Sequence, residues 1–92
     1  MYKLKKDVLL QEVLDCLKTG RELIVYNYGD ITKVEAFREG MVPNFLGWRE
    51  VLYSYKFDIA DDPDSITEED ADWALDKFLI EELKLNDIEV IQ

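Results

Sequence analysis

Glu22-Leu23-Ile24-Val25-Tyr26-Asn27-Tyr28-Gly29-Asp30-Ile31-Thr32-Lys33-Val34-Glu35-Ala36-Phe37-Arg38 is the stretch that decides the fold. Two runs rich in β-branched and aromatic residues flank Gly29-Asp30, a two-residue loop suited to a type I′ or II′ hairpin turn. Such a loop fixes the register, setting Tyr28 opposite Ile31, Val25 opposite Val34 and Leu23 opposite Ala36. Side chains alternate along a strand, so Leu23, Val25, Val34 and Ala36 share one core-facing surface. Ile24, Tyr26, Lys33 and Glu35 take the other, mixed face. Turn chemistry and hydrophobic pattern agree on one hairpin.

Towards the N-terminus, residues 7–18 have helical spacing. Leu9, Leu10, Val13, Leu14 and Leu17 form one apolar stripe, with Gln11, Glu12, Asp15 and Lys18 outside it. Asp7 is placed to cap the start, and Gly20 to end the helix in a left-handed conformation. Towards the C-terminus, Glu39 to Trp48 follows neither period and contains Gly40, Pro43, Asn44 and Gly47, which makes it a loop. From Arg49 to Ile59 the pattern alternates. Val51, Tyr53, Tyr55, Phe57 and Ile59 point one way, while Glu50, Leu52, Ser54, Lys56 and Asp58 point the other.

Asp61-Asp62-Pro63-Asp64 breaks that strand. A second helix begins near Thr67, with Asp70 three residues on as a capping partner and Ile66 as a hydrophobic staple against Ala71. Ala71, Ala74, Leu75, Phe78, Leu79 and Leu83 make its buried stripe, with Trp73 and Ile80 flanking it. Asn86-Asp87 punctuates, and Ile88–Ile91 is a short final strand. The expected fold is a single α+β domain over residues 1–92, a two-layer α/β sandwich in the order α-β-β-β-α-β. Its sheet is four-stranded and mostly antiparallel, with both helices on one face and the last strand free to run parallel after its helical crossover.

Composition narrows the chemistry. The chain has 92 residues, an apolar fraction of 48% and aromatics at 12%, enough for one small core and too apolar for disorder. No apolar run reaches membrane-spanning length. Charges interrupt the N-terminal segment, which reads as a helix rather than a signal peptide, and the lone Cys16 cannot form an internal disulfide. The expected location is cytoplasmic. With no histidine, the Ser-His and Cys-His mechanisms are excluded, and one cysteine cannot supply a usual zinc ligand set. Cys16 reads as a structural thiol. The four glycines are scattered and form no phosphate loop. Asp58 to Glu69 is rich in oxygen ligands, but Pro63 stands where a calcium loop requires glycine. No cofactor, metal or catalytic group is expected.

What stands out is where the charge lies. The formal charge is −10, yet residues 1–57 sum to +1 and residues 58–92 to −11. Between Asp58 and Asp72 there are eight carboxylates and no base. Such a field repels nucleic acid and attracts basic surfaces. Carboxylates in a first helical turn also favour the helix dipole, and acids on an outer face simply keep it solvated. Glu68, Asp72 and Asp76 recur every four residues and, with Asp61, Asp62, Asp64 and Glu69, form a candidate partner-binding stripe. A second candidate is Met41-Val42-Pro43-Asn44-Phe45-Leu46-Gly47-Trp48, where Phe45 and Trp48 either cover the core or anchor a partner.

Small size, acidity, missing catalytic groups and α+β order resemble the inhibitors that phages deploy against nucleic-acid enzymes, anti-CRISPR proteins and other DNA mimics among them. The resemblance lies in composition rather than in aligned residues. It implies an inhibitor that blocks the basic nucleic-acid site of a partner enzyme. Two other readings stand beside it. One is an immunity or antitoxin protein capping a toxin nuclease. The other is a module that forms a homodimer through the Phe45–Trp48 loop and the Tyr26 sheet face. None of the three involves a membrane or direct nucleic-acid binding.

Overall fold

The computed structural model describes residues 2–37 and 50–92. They form β1 (Tyr2–Lys5), α1 (Lys6–Thr19), β2 (Glu22–Tyr28), β3 (Ile31–Phe37), β4 (Glu50–Lys56), a 3₁₀ turn (Pro63–Ser65), α2 (Glu68–Ala74), a π-helical turn (Leu75–Leu79), α3 (Ile80–Leu85) and β5 (Ile88–Ile91). The α+β class holds. The single four-stranded sheet does not. β3-β2-β4 is an antiparallel three-stranded sheet, while β1 and β5 form a separate parallel pair. The order therefore gains a leading strand. Tyr2–Lys5 has only four residues and its partner lies at the far end of the sequence, so no local pattern marks it as a strand.

The hairpin forms in the expected register, with Tyr28 opposite Ile31, Val25 opposite Val34 and Leu23 opposite Ala36. Gly29 has φ +62° and Asp30 does not share the positive φ, which selects the type II′ alternative. Leu23, Val25 and Val34 pack into the main core. The opposite face is less mixed than its sequence suggests, since Ile24 and Tyr26 are also buried, with Phe37 against them. The Tyr26 hydroxyl keeps a partner there by donating to Glu35.

β4 corrects the expected alternation. Val25 pairs with Tyr53 but Tyr26 pairs with Val51, so Leu52 is an extra residue that bulges the strand. After a bulge the side-chain phase changes. Leu52 and Tyr53 both contact the core, whereas Val51, on the other side of the bulge, is exposed. The strand ends at Lys56, and Ile59 lies beyond it, exposed.

α1 begins earlier than expected, so Asp7 is not its cap but lies in the first turn, where its carboxylate accepts the Val8 N–H at 2.8 Å. Gly20 does end the helix, at φ +72°, donating its N–H to the Cys16 carbonyl at 2.8 Å. A side chain there would suffer twice. The backbone is left-handed, and a Cβ would sit 3.4 Å from that of Ile59.

α2 starts with the expected capping box. Asp70 accepts the Thr67 N–H at 2.9 Å, and the two residues satisfy each other's end groups. Leu75, Leu79 and Leu83 are fully buried. In an ideal α-helix a row spaced by four rotates about 40° at each step and leaves the core. The under-wound π turn, closed by Ile80 N–H to the Leu75 carbonyl, offsets that drift and keeps the three leucines inward. Each such side chain contributes on the order of 1.5–3 kcal/mol through burial. Phe78 braces the same rod against β4, 5.1 Å from the Tyr55 ring and 6.3 Å from that of Phe57. Leu9, Val13 and Cys16 of α1 complete the core with Leu4 of β1 and Ile88 of β5. Among the described residues no helix is long and apolar enough to cross a membrane.

Candidate partner-binding surface

The acidic turn is built by chain reversal. Ala60 donates to the Leu17 carbonyl at 3.2 Å, tying the segment to the end of α1, and Pro63 then opens the 3₁₀ turn. Ser65 folds back on Asp62, with both its N–H and its hydroxyl donating to the Asp62 carbonyl at 3.1 Å. Backbone groups are satisfied locally, and the Asp61, Asp62 and Asp64 side chains are left in water.

The expected stripe on α2 divides in two. Glu68 accepts from Gln11 Nε2 of α1 at 2.8 Å. Lys6 Nζ stands 3.2 Å from Asp72 Oδ1, without hydrogen-bond alignment, so that oxygen is held by Coulomb attraction alone. Asp70 belongs to the cap. These three carboxylates therefore hold α2 to α1 or start the helix. Glu69 and Asp76 are exposed and make no hydrogen bond or ion pair among the described residues. With Asp61, Asp62 and Asp64 they are the carboxylates available to a partner.

Trp73 also belongs to this surface. Expected to flank the buried stripe, it stands opposite it, 63% exposed. Two positions from Ala71 and two from Leu75, it is about 200° round the helix from each. The spacing alone sets Trp73 opposite the stripe, whereas its hydrophobicity alone favours the core. Glu69 and Asp76 are its helical neighbours, and Lys77 Nζ lies 5.8 Å from its ring centre.

The other aromatic candidates, Phe45 and Trp48, lie outside the described residues. On the sheet face expected to self-associate, Tyr26 and Ile24 are buried, at 2% and 1% exposed, while Tyr28 and Ile31 are exposed. No group of three or more acidic or cysteine side chains that could hold a metal occurs among the described residues. Cys16 is fully buried, and burial, then Asp15, pushes its thiol up to about 12, so it is inert at neutral pH. Burial, then the Glu82 contact at 3.1 Å, raises the Tyr53 hydroxyl above its ordinary value. Compared with protein families, curated proteins and solved structures, the chain matches none of them.

Proposed function

We propose that this chain is a cytoplasmic binding protein without catalytic activity, whose acidic turn and outer α2 face dock on a basic surface of another protein. The observation that carries the reading is Trp73. A large aromatic ring is exposed between Glu69 and Asp76 on a helix whose opposite face is fully buried. Exposed tryptophan is a frequent energetic anchor in interfaces, and surrounding charge steers encounter and sets specificity. A dense array of carboxylates imitates phosphates, so the partner class is a nucleic-acid-processing enzyme whose substrate site is blocked, as anti-CRISPR and DNA-mimic inhibitors do. An immunity protein capping a toxin nuclease would use the same surface.

The test compares the wild-type chain with Asp61→Lys/Asp64→Lys/Glu69→Lys/Asp76→Lys, which removes carboxylates that make no internal contact. Both are assayed for displacement of duplex DNA from candidate nucleases and CRISPR effectors. Displacement by the wild type should weaken more than about tenfold between about 50 and 200 mM salt, and be lost in the charge-reversed protein and in Trp73→Ser. Displacement that survives both sets of substitutions would sink the reading.

A further inference from the structure

Trp73 is the largest apolar side chain that the core leaves in solvent among the described residues, and a cation already stands on it. Lys77 Nζ, one turn further along and inside the π turn, is 5.8 Å from the ring centre, near the outer limit of a cation–π contact. Lys77 makes no ion pair among the described residues. Glu81, the next carboxylate along, takes Lys84 instead at 3.8 Å. The Lys77 ammonium thus rests against the indole and against no acid.

The other charged groups around the ring differ in what they are free to do. Asp70 accepts the Thr67 N–H at 2.9 Å in the cap, and Asp72 is held by Lys6 at 3.2 Å. Glu69 and Asp76 are exposed and engage nothing among the described residues. By helical spacing they stand roughly 40° and 60° round from Trp73 in the same direction, one a turn before it and the other a turn after. Against these four carboxylates stand only Lys6 and Lys77, so the field at the ring is negative with both lysines counted.

Lys77 satisfies only part of this arrangement. An ammonium is compact and strongly hydrated, and from its position on the ring it leaves Glu69 and Asp76 without a partner. A guanidinium is flat and weakly hydrated. It can lie face-on against the indole while its edge N–H groups meet carboxylates beside the ring, as forked, charge-assisted bonds. On the reading of this face as a partner-binding surface, we infer that Trp73, Glu69 and Asp76 form a seat for an arginine side chain of the partner, which Lys77 fills in the free protein and vacates on binding. A partner lysine only exchanges one ammonium for another at the ring. Lys77 is thereby a specificity residue, setting arginine above lysine on a face whose net charge attracts both.

The experiment titrates the full chain, ¹⁵N-labelled, with an acetylated peptide of alternating glycine and arginine, and with its glycine–lysine counterpart. The readout is the Trp73 indole N–H, identified by its loss in Trp73→Leu. The arginine peptide should shift that signal and bind at least about threefold more tightly than the lysine peptide. Glu69→Gln/Asp76→Asn should abolish the preference. Lys77→Gln should tighten the arginine peptide by about twofold, as release of a weak exposed cation–π contact implies. Lys84→Gln, which removes an equal charge away from the ring, should leave affinity nearly unchanged. No shift at the indole, equal binding of both peptides, or equal gains from Lys77→Gln and Lys84→Gln overturns the inference. Displacement of DNA by charge alone would survive that outcome, because it needs no arginine seat. Absence of displacement beside an intact arginine preference would instead remove the nuclease as partner and keep the seat.

Discussion

The two helices look alike in sequence and are used differently. In α1 every carboxylate is engaged. Asp7 accepts a first-turn N–H, Glu12 meets the β3 edge at Ala36, and Asp15 pairs with Arg21 at 3.6 Å. In α2 and the π turn that continues it, Glu68 and Asp72 face α1 and are engaged in the same way, while Glu69 and Asp76 project with Trp73 into solvent. Acidity by itself therefore says little about binding. What distinguishes α2 is acid without an internal partner, next to an apolar group that the core does not use.

Six substitutions, in four tests, would break or sharpen this contrast. The largest effect should come from the inner faces, where the helices are equivalent. Leu79→Ala and Leu9→Ala each empty a fully buried site and should cost about 2–5 kcal/mol in urea unfolding. A much smaller loss for Leu79 would mean that the rod continuing α2 through the π turn is not a core helix. Next is the start of α2. Thr67→Ala removes half of the capping box and should cost about 1 kcal/mol by the same measurement.

Glu12 comes third, and its effect depends on pH. Burial raises its folded pKa above the ordinary value, against the lowering effect of the Ala36 N–H. A raised folded value means that the native state holds the proton more tightly. The associated stability is present below the unfolded pKa and is lost as pH rises through the folded one. Glu12→Gln keeps an acceptor for Ala36 and cannot ionise, so its stability relative to wild type should rise from pH 4 to pH 7. A flat difference would show that burial does not penalise this carboxylate. Smallest of all, Trp73→Ala and Asp76→Lys should change stability by less than about 0.5 kcal/mol. Larger losses would make the outer face structural and remove the contrast between the helices.

What could be read from sequence follows the range of the interactions involved. The hairpin register, the Gly20 terminus and the Thr67–Asp70 capping box each depend on residues within a few positions of one another, and each was legible. β1 depends on Ile88–Ile91, and Leu52 bulges because of how β4 meets β2, so neither leaves a periodic trace. The π turn hides for a different reason, since Leu75, Leu79 and Leu83 read as an ordinary helical stripe whether or not the helix is under-wound. On the candidate surface, the acidic residues were legible as a group. Which of them Gln11, Lys6 and the cap would engage was not, because that depends on how α1 and α2 cross.

The parallel pairing of Tyr2–Lys5 with Ile88–Ile91 also has a kinetic consequence. It closes nearly the longest loop the chain can make, and loop closure costs entropy that grows with the logarithm of length. The β2–β3 hairpin closes over two residues and can form early, whereas this clasp waits until α1 and α2 have brought its strands together. The β1 strand beside β3 thus takes its place only after the segments far apart in sequence have met. Anything that stabilised the clasp would slow the opening of completed molecules and leave the rate of hairpin formation untouched.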